Sequence, residues 1–119
     1  PRDKLVEFIQ TLAEISERTG FFIQYLGHAG DGNLHPSIFT DINNTEEFAR
    51  AQNAMEEIFL AALSLGGVLS GEHGIGLEKQ RFLKRAMDPR ALDLMKKIKG
   101  MLDPNNIINP GKIWEEEGA

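Results

Sequence analysis

Two runs of aromatic and branched residues, separated by a glycine-rich turn, set the terms for how this chain can fold. FFIQYLGH reads as a strand from Phe21 to about Gly27, and NLHPSIFTDI reads as its partner. Ala29 to Gly32 lies between them as the hairpin loop, with Asp31-Gly32 as the turn signal. Pro36 has no N–H to give to a ladder, so it places the second strand at an edge or brings local irregularity. A lone hairpin is marginal in water. The fold therefore depends on what the flanking segments supply.

Those segments are helical. Leu5, Phe8, Ile9, Leu12 and Ile15 recur at helical spacing, and Gly20 ends the pattern. A second helix is expected to start near Asn44, with Glu47 three residues on completing a capping box. Phe48, Ala51, Met55, Ile58, Phe59 and Ala62 form its buried stripe, which Gly66-Gly67 terminate. GGVLSG reads either as a short third strand or as a buried connector. Leu77 to Met87 suits a short helix. Asp88-Pro89, a cap and a first-turn proline, opens another helix, expected to carry Leu92, Met95, Ile98 and Leu102 inward until Asp103-Pro104. In the tail, Ile107, Ile108 and Trp114 suggest docking onto something.

The order α-β-β-α followed by further helices is α+β, and 119 residues suit a single domain over 1–119. Two or three strands make a thin sheet, so the rest is expected from another part of a longer chain or from a partner. A chain that opens at Pro1 and enters a helical pattern at once is likewise expected to be a piece of something longer.

Composition narrows the chemistry. The net charge of −5 argues against nucleic acid, which rewards clustered Lys and Arg. No apolar run approaches the roughly 20 residues that span a bilayer, and no signal peptide is visible. Zero cysteines exclude disulfides, thiolate zinc sites and cysteine nucleophiles, and fit a cytoplasmic setting.

All three histidines lie in two glycine-rich loops: His28 and His35 in GHAGDGNLHP, and His73 in SGEHGIG. A register pairing His28 with His35, Leu26 with Ser37 and Gln24 with Phe39 puts both imidazoles on a mixed face. Tyr25, Ile38, Ile23, Phe21 and Ile42 then form an apolar face suited to the helices. Opposed residues have Cβ atoms about 5 Å apart, close enough for two imidazoles to share an ion. Glu72 offers an anionic ligand and His73 a free imidazole. Three protein ligands with open positions describe a catalytic metal rather than a structural one.

Blander readings stand beside this one: a polar hairpin rim, and a connector or anion-binding turn in the second loop. Two histidines and a carboxylate also serve Fe(II) oxygenases and Zn hydrolases, although the helix-rich pattern does not suit the β-rich oxygenases. A stand-alone metal-binding or protein-interaction module without catalytic activity is the non-enzymatic alternative. No His-Glu-x-x-His helix and no nucleophile elbow is present.

Taken together and in order, GHAGDGNLH, SGEHGIG and LDPNNIINPGK resemble the C-terminal region of the FAD-linked oxidases that act on 2-hydroxy acids, a family that includes glycolate oxidase and D-lactate and D-2-hydroxyglutarate dehydrogenases. The blocks span Gly27 to Lys112. The resemblance implies the last part of a ferredoxin-like substrate domain, with the FAD-binding domain and a basic substrate-carboxylate clamp lying upstream. It implies a divalent ion (Zn, Mn or Fe) on His28, His35 and Glu72, and His73 as general base. It also implies flavin or active-site contacts from Asn33, Asn109 and Lys112. Ser37 stands where some relatives carry Asn. The expected partners are a small 2-hydroxy acid and the FAD-binding domain, with a homo-oligomer admitted. The isolated chain is expected to be inactive, because nothing in it can accept a hydride.

Overall fold

The computed structural model describes residues 1–114, which form two compact units, Pro1–Gly71 and a second that begins at Glu72. In the first, a single 3-10 turn leads into helix α1 (Leu5–Thr19), followed by strands β1 (Ile23–His28) and β2 (Asn33–Ile38) and helix α2 (Thr45–Ser64). The architecture is α+β.

Helix α1 ends where expected. Gly20 adopts φ 76° and donates its N–H to the Ser16 carbonyl at 2.9 Å, a left-handed cap that glycine takes without steric cost. Helix α2 starts with the anticipated side-chain cap: Asn44 Oδ1 accepts the Glu47 N–H at 3.1 Å. The two helices pack with the base of the hairpin. Leu12, Ile15, Phe21, Ile23, Ala51, Ala54 and Ile58 form the core, with Phe8, Ile38 and Met55 packed around it. Burying each of the larger side chains contributes roughly 1.5–3 kcal/mol. Arg50 ties the helices at their ends. It donates to the Thr19 carbonyl at 3.0 Å, and its guanidinium lies 5.3 Å from the Phe21 ring centroid.

Several details differ from the sequence reading. The buried stripe of α2 is Ala51, Ala54 and Ile58, so Ala54 joins it while Phe48, expected inside, is substantially exposed. GGVLSG forms no strand; Leu69 is buried within it, which makes it the connector. Among the described residues the sheet has two antiparallel strands.

The strand register also differs. Ile23 opposes Ile38, Leu26 opposes His35 and His28 opposes Asn33, two residues out from the expected pairing. The cause is the turn. Ala29–Asp31 close as a 3-10 turn and Gly32 takes φ 74°, so the ladder begins immediately at His28 and Asn33. A slip of two keeps every side chain on its own face, so Ile23 and Ile38 still face the core. Only the base of the hairpin is covered, however: Tyr25 and Ile42 are exposed.

The second unit contains helices α3 (Gln80–Ala86) and α4 (Pro89–Leu102) and the loop that follows. Helix α3 buries Phe82 and Leu83, and α4 buries Leu92. Asp88 Oδ1 accepts the Arg90 N–H at 2.8 Å, with Pro89 at the first helical position as expected. Ile98 and Leu102, expected to face inward, are exposed, as are Ile107 and Ile108. No helix among the described residues is long and apolar enough to cross a membrane.

Candidate metal centre and cofactor loops

Near the tip of the hairpin the backbone is crowded at Gly27. A Cβ at Gly27 would lie 2.2 Å from the Asn33 carbonyl oxygen and 2.9 Å from Leu34 Cα. Only glycine lets the strands approach this closely. Arg2 braces the turn, donating to the Gly30 carbonyl at 3.4 Å.

This tip brings His28 and His35 together. They are diagonal rather than direct partners, since His28 opposes Asn33 and His35 opposes Leu26. Diagonal positions are about 7–8 Å apart along the backbone, still within reach of long side chains. The rings close the gap: their centroids are 6.0 Å apart at 89°. Two imidazoles meeting edge to face present nitrogen donors on one side of the hairpin, a set suited to a first-row divalent ion.

The connector after α2 runs back to the same tip. A Cβ on Gly71 would lie 2.2 Å from Asn33 Oδ1, so the absence of a side chain lets the chain pass directly against that amide. Glu72 is the next residue, its Cα about 3.8 Å further along the chain. Glu72 and His73 form their own pair, with His73 Nε2 3.5 Å from Glu72 Oε1 and both side chains well exposed. Glu72 is thus a solvated carboxylate and His73 a solvated imidazole beside it.

Asn109 and Lys112 occupy the loop after α4, and both are exposed. Asn109 has φ 49°, a left-handed conformation uncommon outside glycine but tolerated best by Asn. An amide and an ammonium here fit the carbonyl and anionic oxygens of a flavin nucleotide. Asn33, by contrast, is half-buried at the hairpin tip.

Sequence reasoning missed two residues that hold the loop after α4: Asp103, and Gln80, whose Nε2 donates to the Gly111 carbonyl at 3.1 Å. Asp103 reads as a helix stop, yet it is buried at 8% exposure and accepts two backbone N–H groups from the loop. Lys99 pairs with it. Hydrogen bonding to Lys99, then to the Ile107 and Ile108 amides, lowers its pKa to about 2. The available signal was an Asp followed four and five residues on by amides that a short turn can bring back. No comparable signal marks Gln80.

Comparison with known proteins identifies the family to which the chain belongs. The family model for FAD linked oxidases, C-terminal domain, matches residues 1–113. The chain is 40% identical to glycolate oxidase subunit GlcD of Bacillus subtilis (strain 168), over 98% of this chain and 25% of that protein. It is 38% identical to a D-lactate dehydrogenase of Anaerostipes hadrus, over 95% of this chain and 24% of that protein. It is 45% identical to a probable mitochondrial D-lactate dehydrogenase of Danio rerio, over 75% of this chain and 18% of that protein. The chain therefore spans about a quarter or less of these relatives.

Proposed function

Because the chain belongs to the FAD linked oxidases, as their C-terminal domain, we propose that it is the substrate- and metal-site portion of an FAD-dependent 2-hydroxy-acid oxidoreductase of the glycolate or D-lactate type. The convergence of His28 and His35 carries the reading. A hairpin with a solvated rim has no need of two imidazole rings gathered at 6.0 Å beside a connector that ends in Gly71-Glu72.

On this reading His28, His35 and Glu72 hold a divalent ion, Zn, Mn or Fe, through two neutral imidazole nitrogens and a carboxylate oxygen. When bound, the ion supplies Lewis-acid polarisation of the substrate hydroxyl. His73 accepts the hydroxyl proton as general base, and its solvent exposure gives that proton a way out. Flavin, held mainly by an FAD-binding domain outside this chain, supplies the hydride acceptor. Asn33, Asn109 and Lys112 contribute polar contacts to the cofactor. The chain alone then binds metal and does not turn over.

Metal stoichiometry tests this directly. The protein, purified without a metal-binding tag, is expected to carry close to one divalent ion per chain. His28→Ala/His35→Ala should abolish that binding, and Glu72→Ala should weaken it. Equal metal content in the wild type and the double variant would refute the site. For the base, His73→Ala in the full-length flavoprotein should lower turnover of a 2-hydroxy acid by about 10²–10⁴-fold; unchanged turnover would remove that assignment.

A further inference from the structure

The loop after α4 is held in a demanding shape by a set of polar contacts. Asn106 and Asn109 have φ of 50° and 49°, and Gly111 has φ 64°. Its two isoleucines do not secure it, being 74% and 62% exposed. At the front, Asp103 Oδ1 accepts the Ile107 N–H at 2.9 Å, and Oδ2 accepts the Ile108 N–H at 2.8 Å. The Asn106 N–H returns to the Asp103 carbonyl at 3.0 Å, and Lys99 Nζ bridges the Asp103 carboxylate and Asn106 Oδ1. At the back, Gln80 Nε2 on α3 donates to the Gly111 carbonyl at 3.1 Å.

Asn109 lies between these two anchors, and Lys112 immediately follows the second. Left-handed residues at Asn106, Asn109 and Gly111 give this exposed loop one defined path, and non-glycine residues in that conformation gather at ligand clamps. Burying a carboxylate to satisfy two loop amides is a costly way merely to end a helix, which a glycine does cheaply.

We infer that Asp103 and Gln80 are positioning residues: from opposite ends they pre-form the loop that carries Asn109 and Lys112, so that the flavin meets donors already in place. The inference rests on the assignment of Asn109 and Lys112 to the cofactor. Its physical basis is preorganisation: a loop ordered beforehand spares the ligand the entropy of ordering it.

The test uses the full-length flavoprotein with Asp103→Asn and Gln80→Glu, and with Asn109→Ala and Lys112→Ala as references. Apoprotein titrated with FAD gives the dissociation constant from flavin fluorescence, and hydrogen exchange reports the Ile107 and Ile108 amides. Asp103→Asn offers one acceptor where two amides need one each. It should speed exchange at one of them at least tenfold and weaken FAD binding about three- to tenfold. Gln80→Glu keeps the side-chain length but cannot donate to Gly111. It should weaken FAD binding comparably while leaving both amides protected, and it carries the test if Asp103→Asn does not fold. Wild-type FAD affinity in both positioning variants, alongside weakened binding in Asn109→Ala or Lys112→Ala, would overturn the inference while sparing the cofactor assignment. Unchanged affinity in both reference variants would remove that assignment and the inference with it.

Discussion

Gly27→Ala tests whether the close strand approach holds the histidine pair together. The new Cβ would fall 2.2 Å from the Asn33 carbonyl oxygen and 2.9 Å from Leu34 Cα, where real Cβ atoms essentially never come within 3.0 Å. Both obstacles are backbone atoms, so no rotamer change relieves them. The strands must part by about 0.8 Å at the step next to the His28–Asn33 pair. Overpacking of this kind costs about 1–3 kcal/mol, and each ladder hydrogen bond it stretches or breaks adds about 1 kcal/mol. A loss of about 2–4 kcal/mol follows, which lowers a urea midpoint by roughly 1–2 M at an ordinary m-value. The same displacement exceeds the roughly 0.2 Å tolerance of metal–ligand distances, so Zn affinity should fall at least tenfold. Gly30→Ala is the control: its Cβ meets nothing within 4 Å, and its φ is not in the left-handed region. That change should stay within about 0.5 kcal/mol of wild type. The assays are urea unfolding followed by circular dichroism, and competitive Zn titration. If Gly27→Ala unfolds at the Gly30→Ala midpoint with unchanged Zn affinity, the crowding argument is wrong.

Other outcomes follow from the same packing and capping. Ile58→Ala removes one of the most deeply buried side chains, at 1% exposure, and should cost about 2–5 kcal/mol by urea unfolding; a loss below 1 kcal/mol would mean that the core collapses around the gap. Asn44→Ala deletes the α2 cap and should cost about 1 kcal/mol, with Asn44→Asp close to neutral in the same assay. Asp103 has a pKa depressed from 3.8 to about 2, so its stabilisation is complete above about pH 4–5 and is lost as pH falls through about 2. Between pH 5 and 2 the wild-type urea midpoint should therefore fall more steeply than that of Asp103→Asn; parallel curves would show that the carboxylate charge contributes nothing there.

Much of the fold was legible because its signals are local. The spacing from Leu5 to Ile15, the Gly20 cap, the Asn44 side-chain cap and Asp88-Pro89 are each local signals along the helices they shape. The hairpin loop, Ala29 to Gly32, was legible for the same reason. The family follows from three motif blocks read in order. The outward faces of Ile98 and Leu102 were not legible, because an amphipathic pattern says which side is apolar and not what covers it. Asp103 was misread as a simple helix stop because its partners, Ile107 and Ile108, contribute only backbone amides, which no side-chain pattern encodes.

The histidine pair divides the two kinds of information most clearly. Sequence alone determined that His28 and His35 share a face, since strand side chains alternate with a period of two and any even register preserves that parity. Tertiary structure alone decided that they meet diagonally, with Asn33 rather than His35 opposite His28. The apolar pattern is identical in both registers and cannot choose between them. Closure of the 3-10 turn at Ala29–Asp31, and the contact of Gly27 with the Asn33 backbone, make that choice.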